Sequence, residues 1–222
     1  MPTHPAMYLP AHFEETDTAV LQTLIDLHPL ATWVTGPAAV DADPVVDHIP
    51  FMLDRNRGPH GTLVGHVARA NPVWRQPGRS VLVFQGPHAY ISPGWYASKR
   101  EHGKVVPTWN YAVVHAHGTP RAIEQRDELL AIVTRLTETH EAAQRAPWKV
   151  ADAPADFVAQ MLNAIVGIEI PIDRLVGKWK VSQNRSACDR AGAQQALQAS
   201  AREDDRAMGE LVGGYRPPGN RP

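Results

Sequence analysis

Hydrophobic residues recur at helical spacing in four segments of the chain. The spacing predicts helices over residues 14–28, 124–145, 156–165 and 185–212. The second segment shows the clearest pattern, because its apolar residues form one stripe and its charged residues lie elsewhere. Pro29 directly follows the first helix and stops it. Both ends of the chain are therefore expected to carry helices.

Alternating or short apolar runs predict strands over residues 30–35, 45–53, 62–69, 80–85, 105–122 and 167–176. Pro50 indicates an edge or a bulge in the second strand, because proline donates no hydrogen bond to a neighbouring strand. Gly86 and Pro87 are expected to end the fourth strand, and Gly118 to bend the fifth. The elements lack the strict strand–helix rhythm of a parallel sheet. They predict a mainly β (α+β) protein, an antiparallel barrel with peripheral helices and a C-terminal helical tail.

The size and composition of the chain fit this class. With 222 residues, 43% of them hydrophobic, it can bury a substantial core as one domain, or as one domain with an appendage. The 20 prolines and 16 glycines supply many turns, which suits a sheet-rich protein. We expect residues 1–185 to form the barrel domain, and residues 186–222 a helical tail that packs on it or extends from it.

Charge and cysteine usage exclude several classes of protein. The formal net charge is −1, so no overall positive charge draws the chain to nucleic acid or to an anionic membrane. Cys188 is the only cysteine, which excludes an intrachain disulfide and a cysteine-rich zinc site. Residues 1–10 lack the pattern of a signal peptide, and no apolar run approaches the roughly 18 residues of a membrane span. We expect a cytoplasmic protein.

The stretch of residues 48–110 is unusually rich in aromatic, histidine and cationic side chains. Aromatic faces can stack on a planar ligand, and arginine or lysine can neutralise an anionic group on it. The alternative is that tryptophan and tyrosine fill the core of a small barrel. The residues of this candidate site are His48, His66, Arg69, Gln85, His88, Ser92, Trp95, Tyr96, Lys99, Trp109 and Asn110.

Two shorter patterns also suggest chemistry. Residues 177–185 combine three cations, one indole and three hydrogen-bonding side chains, which suits a phosphate or a polyhydroxylated chain. A solvated strand end is the other interpretation. His115 and His117 fall on one face of a strand, a spacing that can bind zinc or haem iron. No carboxylate or further histidine lies nearby in the sequence to complete a metal site, so we expect no bound metal.

Familiar catalytic and nucleic-acid-binding motifs are absent from the sequence. It contains no Walker-type phosphate loop, no G-x-G-x-x-G after a strand and no G-x-S-x-G elbow. No pair of predicted helices carries a basic recognition face for DNA. The residues by themselves therefore assign no catalytic group.

Six blocks of sequence, taken in order along the chain, resemble one known family. Any one block alone is weak, but their shared order and spacing make the resemblance specific. The blocks are MYLPAHF from Met7, HIPF from His48, GTLVGHVARANP from Gly61, VFQGPHAYISP from Val83, VPTWNYA from Val106 and KWKVSQNR from Lys178. They are similar to the PaiB-like family of FMN-binding negative transcriptional regulators.

This resemblance implies a split β-barrel related to pyridoxamine-phosphate-oxidase-like and flavin-reductase-like proteins. It implies a homodimer that holds FMN at the subunit interface and represses transcription, in the best-known members that of protease and sporulation functions. Residues 47–53 would present backbone groups to the isoalloxazine, and residues 178–185 would close the site, with the partner subunit able to supply them. The cofactor contacts expected on this basis are His48, Phe51, His66, Arg69, Asn71, Ser92, Trp95, Lys99, Lys178, Gln183, Asn184 and Arg185.

Gly94 departs from the family pattern, in which a small hydroxyl residue is expected between the proline and the tryptophan. The missing hydroxyl removes one hydrogen bond to a phosphate, worth on the order of 1 kcal/mol. The departure bears on the affinity for FMN and leaves the fold unaffected.

Three functions stay open at this point. The first is a flavin-binding regulator that acts on DNA or through a regulatory protein partner, although no DNA-binding motif is visible. The second is a flavin-dependent oxidoreductase, in which the flavin carries the chemistry and no dedicated acid or base is needed. The third is a haem-binding or haem-degrading split barrel, with His115 and His117, or His66 and His88, as axial ligands.

Overall fold

The computed structural model describes residues 7–36, 41, 43–76 and 78–214. Its helices are α1 (Thr18–Leu27), α2 (Ser98–Glu101), α3 (Arg126–Glu141), α4 (Ala155–Asn163), α5 (Ala187–Gln198) and α6 (Glu203–Gly214). Its strands are β1 (Glu14–Glu15), β2 (Leu30–Thr35), β3 (Val45–Pro50), β4 (Met52–Asp54), β5 (Thr62–Ala68), β6 (Ser80–Ile91), β7 (Thr108–Gly118), β8 (Arg121–Ile123) and β9 (Ile165–Lys180). Short 3-10 helices cover Ala11–Phe13, Pro72–Arg75, Pro93–Trp95 and Val150–Asp152. Residues 1–6 of the predicted barrel domain and 215–222 of the predicted tail lie outside the described residues.

The strands are hydrogen-bonded in the order β3, β2, β6, β7, β9, β5 and β4, and β1 and β8 also pair with β9. The pairings of β2 with β3 and β6 are antiparallel. So are those of β5 with β4 and β9, and those of β9 with β1 and β8. The predicted mainly β (α+β) class, with an antiparallel sheet and peripheral helices, is confirmed.

The chain divides into two compact units, and the long strands β6, β7 and β9 contain residues of both. Unit 1 comprises the described residues within 1–17, 85–114 and 176–222, and unit 2 those within 18–84 and 115–175. Helices α5 and α6 belong to unit 1, whereas α1, α3 and α4 belong to unit 2. The predicted division at residue 185, between a barrel domain and a helical tail, stays a prediction.

The core of unit 2 is built from strand residues and the apolar faces of its helices. Trp33 is fully buried and packs edge-to-face on Phe51, with 5.9 Å between the ring centroids. A second buried cluster joins β5 and β8 to α3, and its members are Val64, Ile123, Ile132 and Leu136. Burial of side chains of this size contributes about 1.5–3 kcal/mol each to folding.

A buried carboxylate in unit 2 connects β9 to β8 and to the turn before β5. Glu169 of β9 accepts hydrogen bonds from both terminal nitrogens of Arg57, at 2.5 and 2.9 Å. Arg121 lies directly opposite Glu169 in the β8–β9 pairing and also donates to it. The hydrogen bonds from Arg57 are the main reason why the pKa of Glu169 falls to about 2, although burial acts in the opposite direction.

The core of unit 1 lies under α5 and α6. Gly192 of α5 faces the carbonyl oxygen of Trp95, and a Cβ atom on this glycine would overlap that oxygen. Glycine therefore permits the close approach of the helix to the backbone at Trp95. The buried members of the cluster are Ala89, Ile91, Tyr96, Val181, Ala193, Leu197, Met208 and Val212.

The first helix begins later than its hydrophobic spacing predicts. Glu14 and Glu15, which were predicted to be helical, form β1 and pair with the end of β9. The carboxylate of Glu15 accepts hydrogen bonds from the backbone N–H groups of Thr16 and Asp17, at 3.0 and 2.9 Å. Strand pairing and this carboxylate place the start of α1, and neither effect leaves a periodic signal in the sequence.

Two strand predictions are wrong in their extent because tertiary pairing overrides local signals. The strand predicted over residues 80–85 continues to Ile91 in β6, so Gly86 and Pro87 do not end it. The strand predicted over residues 105–122 is two strands, β7 and β8, and the chain turns between them after Gly118. A Cβ atom on Gly118 would overlap the backbone carbonyl of Pro171, so close packing explains the glycine at this position.

The remaining boundaries differ less. The strand predicted over residues 45–53 is divided at Phe51, whose N–H donates to the carbonyl of Pro29 at 2.9 Å instead of to a strand neighbour. The strand predicted over residues 62–69 ends one position earlier, at Ala68, and that predicted over residues 167–176 is the longer strand Ile165–Lys180. The helical tail is two helices, α5 and α6. Helices α3 and α4 lie where they were predicted, with small shifts at their ends.

Candidate functional site

The end of β9 in unit 1 carries a group of three cations, Lys178, Lys180 and Arg185, which we call the β9 cation group. Lys178 is buried, with 7% of its surface exposed, and its Nζ donates a 2.7 Å hydrogen bond to the carbonyl of Tyr8. The same Nζ lies 5.4 Å from the ring centroid of Tyr8 and 5.5 Å from that of Tyr111. Two aromatic faces therefore hold this ammonium group by cation–π contact.

Lys180 is the second member and lies two positions further on the same face of β9. Its Nζ donates to the hydroxyl of Thr108 at 2.6 Å and to the carbonyl of Trp109 at 2.8 Å. Burial lowers the pKa of Lys180, and the positive charges of Lys178 and Arg185 lower it further.

The members of the β9 cation group repel one another, and Glu14 lies directly opposite Lys178 in the β1–β9 pairing. Among residues 7–36, 41, 43–76 and 78–214, none of the three cations forms an ion pair with a carboxylate. The positive charge of Arg185 lowers the pKa of Asp189, but the two side chains are not within ion-pair distance. A concentration of positive charge that already repels itself is suited to an incoming anion such as a phosphate.

An exposed group of rings lies on β6 and β7 in the same unit, and we call it the aromatic group. Trp109 stacks on His88 with 5.8 Å between ring centroids, and Tyr90 meets it edge-to-face at 6.3 Å. Trp109 is 45% exposed and Tyr90 is 48% exposed, so both rings present large apolar surface to the solvent. Trp109 and Tyr111 share one face of β7, because they are two positions apart. Planar ligands are stacked by side chains of this kind.

A strained corner follows β9. Ser182 has a φ of 65°, the left-handed region that a serine rarely adopts, and it is buried. The side-chain amide of Asn110 donates to its hydroxyl at 2.9 Å. The Oδ1 atom of Asn110 is buried without a hydrogen-bond partner among the described residues. Strained residues and unsatisfied polar atoms concentrate at functional sites, so this corner belongs to the candidate site.

Tyr96 and Arg185 cover the same corner. The guanidinium carbon of Arg185 lies 4.9 Å from the ring centroid of Tyr96, a cation–π contact. Burial raises the pKa of the Tyr96 hydroxyl, and Arg185 and Ser182, which lie close to it, act in the opposite direction. Arg185 is thus held against the aromatic face of Tyr96 and lies close to its hydroxyl.

Helix α5 is fixed on this site by a buried acid. Asp189 accepts hydrogen bonds from the backbone N–H of Ser98 at 3.0 Å and from its hydroxyl at 2.8 Å. Burial by itself would raise the pKa of Asp189, but the bonds from Ser98 and Ser186 hold it below the usual value. Asp189 is therefore a structural carboxylate that joins the start of α5 to α2.

The structure places seven of the predicted cofactor contacts in unit 1. Lys178 and Arg185 belong to the β9 cation group. The side chain of Gln183 turns back on the chain, where its Oε1 accepts from the N–H of Val181 at 2.7 Å, while Asn184 is exposed. The other three are Ser92, Trp95 and Lys99.

Ser92, Trp95 and Lys99 surround the 3-10 helix after β6. The hydroxyl of Ser92 caps this helix by accepting from the N–H of Gly94 at 3.1 Å. Trp95 is partly buried against the core under α5 and α6, and Lys99 is exposed. A Cβ atom on Gly94 would lie 3.2 Å from the Ser92 hydroxyl and 4.0 Å from the Nζ of Lys99. A hydroxyl residue at position 94 would therefore stand between these two groups.

The other five predicted contacts lie in unit 2. His48 is exposed on β3, and its N–H donates to the carboxylate of Asp47 at 2.8 Å. Phe51 is buried in the core, so its side chain contributes packing. Asn71 caps the 3-10 helix that follows it, because its side chain accepts from the N–H of Val73 at 2.9 Å. Its amide also donates to Asp47.

His66 and Arg69 complete this second set. Burial lowers the pKa of His66, and its Nδ1 has no hydrogen-bond partner in the described part of the chain. The guanidinium of Arg69 donates to the carbonyls of Asn163 and Ile165, at 3.0 and 3.1 Å, and forms a 2.6 Å ion pair with Glu124. Arg69 therefore ties β5 to the end of α4 and to the start of α3.

His115 and His117 lie on one face of β7, as their spacing predicts, with 6.4 Å between ring centroids. Arg174 places a terminal nitrogen 3.2 Å from each ring nitrogen of His117. Burial, and then the charges of Arg174 and His115, lower the pKa of His117 to about 4. Within the described ranges, no group of three or more His, Cys, Asp or Glu side chains is arranged to hold a metal ion.

Several residues of the site were not among the predicted contacts, and Lys180, Tyr8 and Tyr111 are three of them. Lys180 could have been identified by its period-two spacing from Lys178, since both then face the same side of a strand. Tyr8 and Tyr111 lie in blocks that carry the family resemblance, but the contact of each with Lys178 joins distant parts of the chain. Local pattern contains no signal for such a contact.

The fold defines the chain as a split β-barrel protein. It superposes on the flavocytochrome Anf3 of Azotobacter vinelandii with a TM-score of 0.54 and 14% sequence identity, covering 80% of this chain and 72% of that one. A conserved hypothetical protein of Mycobacterium tuberculosis gives a TM-score of 0.53 at 14% identity, covering 80% of this chain and 92% of that one. At this level of identity the likeness concerns the fold alone.

The sequence comparisons identify the family. Residues 7–174 match the family described as "Putative FMN-binding domain". The chain is 32% identical over 209 residues to "Protease synthase and sporulation protein PAI 2" of Bacillus subtilis, covering 93% of this chain and 96% of that protein. The chain belongs to this FMN-binding-domain family, and its resemblance to PaiB-like proteins is confirmed. The assignment supports a flavin as its cofactor.

The part of the chain that the structure describes contains no helix long and apolar enough to cross a lipid bilayer.

Proposed function

We propose that this protein is an FMN-binding negative regulator of transcription of the PaiB type, and that unit 1 supplies the surface on which FMN binds. The observation that carries the proposal is the β9 cation group, three cations without a carboxylate partner among the described residues, in the same unit as the exposed aromatic group. FMN combines a phosphate with a planar ring, and this surface offers complements to both.

The phosphate is assigned to Lys178, Lys180 and Arg185. Each of these side chains is already held by other contacts, to Tyr8, to Thr108 and Trp109, and to Tyr96 respectively. Because these side chains are already ordered, they lose less conformational entropy when the phosphate binds. Burial is the main cause of the lowered pKa of Lys180, and repulsion by Lys178 and Arg185 adds to it; a bound phosphate opposes this repulsion, so its binding should raise that pKa.

The ring is assigned to the aromatic group. Trp109 and Tyr90 expose apolar faces that would otherwise remain in contact with water, and stacking with a planar ring buries them. When bound, FMN supplies an electron-accepting ring, while the protein contributes binding, orientation and exclusion of water. The contacts predicted within unit 1 at Ser92, Trp95, Lys99, Gln183 and Asn184 remain part of the proposal, whereas those at His48, Phe51, His66, Arg69 and Asn71, which lie in unit 2, stay predictions from the family resemblance.

A homodimer and a regulatory role complete the proposal. Exposed aromatic side chains on a sheet face are typical of surfaces that bind another chain or a ligand, which supports an FMN site close to a subunit interface. The regulatory role is supported by the relative, whose name refers to protease synthesis and sporulation. The net charge of −1 favours action through a protein partner over direct attraction to DNA.

The test is a titration with FMN and with riboflavin, which lacks the phosphate. We expect saturable FMN binding at one molecule per subunit. The double variant Lys178→Gln, Lys180→Gln should weaken FMN binding about tenfold or more, because charge-assisted hydrogen bonds are each worth about 1.5–3 kcal/mol. Riboflavin binding should change little. Lys104→Gln, which removes an exposed lysine elsewhere in unit 1, is the matched control.

Equal losses of FMN and riboflavin affinity in the double variant would contradict the phosphate assignment. Size-exclusion chromatography with light scattering measures the molar mass of the protein with and without FMN, and so tests whether it is a dimer. A gel shift at low salt tests direct DNA binding, because such binding is strongest there. A shift of the DNA band would show that the protein binds DNA directly, and would contradict regulation through a protein partner.

A further inference from the structure

A groove in unit 2 shares no residue with the proposed flavin surface. It lies between α3 and α4, is bounded at one end by the Val150–Asp152 turn, and has a volume of about 580 Å³. Ligand sites in proteins have volumes of roughly 300–1,000 Å³. The groove is therefore large enough to hold a small molecule.

Small side chains on one wall leave the groove open. Packed helices normally interdigitate and leave few voids larger than a water molecule. Here four of the seven residues on the wall formed by α4 and the preceding turn are alanines, and Leu130 of α3 stays 38% exposed. The residues on this wall are Val150, Ala151, Ala153, Ala155, Val158, Ala159 and Leu162. The wall of the groove is therefore a mainly hydrocarbon surface, which is in contact with water when no ligand is bound.

Charge is distributed unevenly along the groove. Lys149 lies at the end next to the turn, and Glu138 of α3, which carries the opposite charge, also lines the groove. Arg126 lines the groove at the start of α3, about 18 Å from Glu138 along the helix axis. Arg126 also lines an adjoining cleft of about 240 Å³ together with Arg69 and Glu124, which are paired with each other. Arg126 itself forms no ion pair with any residue that the structure describes.

We propose that this groove binds an amphipathic carboxylate with an unbranched hydrocarbon tail. The carboxylate lies at Arg126, whose guanidinium lines the groove without an ion pair among the described residues and can donate charge-assisted hydrogen bonds. The tail runs along Leu130, Val158 and Ala159 and covers their apolar surface. The proposal does not rest on flavin binding, because its residues and those of the flavin surface lie in different units.

Calorimetric titration of the full chain with dodecanoate, below its micelle concentration, tests the proposal. We expect saturable binding of one molecule per chain. Arg126→Gln should weaken it about tenfold, because it removes a charged hydrogen-bond donor. Arg145→Gln, an exposed arginine that does not line the groove, should leave it unchanged. Dodecyltrimethylammonium has the same tail and the opposite charge, so it should bind at least tenfold more weakly than dodecanoate.

Two variants that fill the groove complete the design. Ala159→Trp should abolish dodecanoate binding, and Ala155→Phe, at an exposed position on the same wall, provides a second obstruction if the first variant does not fold. Dodecanoate binding that survives a folded obstruction variant overturns the proposal, as does an absence of saturable binding to the unmodified chain. Equal affinity for the ammonium amphiphile overturns the assignment of the carboxylate to Arg126. Failure of the flavin proposal would leave each of these results unaffected.

Discussion

The side-chain amide of Asn110 donates a 2.9 Å hydrogen bond to the hydroxyl of Ser182, which joins β7 to the residue at which the chain leaves the end of β9. Both residues are buried, and Ser182 has a φ of 65°. This conformation costs a residue with a side chain on the order of 1–2 kcal/mol. The hydrogen bond helps to hold the corner that separates Lys180 from Arg185, two members of the β9 cation group.

Two substitutions of Ser182 separate its strain from its hydrogen bond. Ser182→Ala keeps the strained backbone and leaves the amide of Asn110 without its acceptor, so it should lower the free energy of unfolding by about 1–3 kcal/mol. Ser182→Gly loses the same bond but relieves the strain, and should be about 1 kcal/mol more stable than the alanine variant. Urea unfolding measures both values. Equal stability of the two variants would show that the backbone at this position carries no strain.

Glu169 should stabilise unit 2 in a pH-dependent manner. Its pKa is about 2 in the folded protein, mainly because of the hydrogen bonds from Arg57, against about 4.3 in an unfolded chain. The stabilisation is therefore complete above about pH 4.5 and is lost as the pH falls toward 2. We expect Glu169→Gln to lower the free energy of unfolding by about 1–3 kcal/mol at pH 7 and by less at pH 3. Urea unfolding at both pH values provides the comparison.

Arg121→Gln is the control for that experiment. The side chain of Arg121 is 64% exposed, whereas that of Glu169 is 8% exposed. An exposed ion-pair partner contributes little to stability, so Arg121→Gln should lower the free energy of unfolding by less than about 1 kcal/mol. A loss in Glu169→Gln that stays the same from pH 7 to pH 3 would argue against the lowered pKa.

His117 should make the protein less stable on mild acidification. Burial, with Arg174 and His115 next in effect, lowers its pKa to about 4, whereas histidine in an unfolded chain titrates near about 6.5. Between these values the unfolded chain binds the proton and the folded protein does not. The free energy of unfolding therefore falls as the pH drops from about 6.5 to 4, by on the order of 1–3 kcal/mol from this residue.

His117→Gln removes the titrating group, so its unfolding free energy should depend less on pH over the same range. Urea unfolding at pH 7, 5.5 and 4.5 measures the two slopes. His115→Gln serves as a comparison, because His115 is less buried on the same face of β7. Identical slopes for the unmodified protein and His117→Gln would contradict the assignment.

Arg69 allows a predicted cofactor contact to be distinguished from a structural one. If it binds an anionic group of FMN, Arg69→Ala should weaken FMN binding by about 1.5–3 kcal/mol. Its bonds to the carbonyls of Asn163 and Ile165 and its ion pair with Glu124 predict a loss of stability of about 1–3 kcal/mol in either case. The dissociation constant and the unfolding free energy must therefore be measured separately.

Arg69→Lys keeps the charge but not the planar fork that reaches several acceptors at once. An unchanged dissociation constant in Arg69→Ala, together with reduced stability in both variants, would show that Arg69 is structural. A dissociation constant restored by lysine would instead indicate that its charge acts on the cofactor.

The candidate site was only partly accessible to prediction. The 177–185 segment was identified from its three cations, and in the structure Lys178 and Arg185 both lie close enough to Lys180 to lower its pKa, after the larger effect of burial. Arg69 looked equally suitable for an anion, yet three acceptors that are distant in sequence occupy its guanidinium. A cation that binds a ligand and one that joins two elements of the fold have the same local sequence pattern.

The sequence by itself determined the mainly β class, the positions of α3 and α4, and the family, because side-chain periodicity and ordered motif blocks are properties of the chain alone. The tertiary structure decided where β6 ends, where α1 begins and which cations stand without a carboxylate partner among the described residues. Strand pairing carries β6 through Gly86 and Pro87, and β1 takes Glu14 and Glu15 away from the helix. These outcomes depend on hydrogen bonds and charges between residues far apart in the chain, and local spacing contains no record of them.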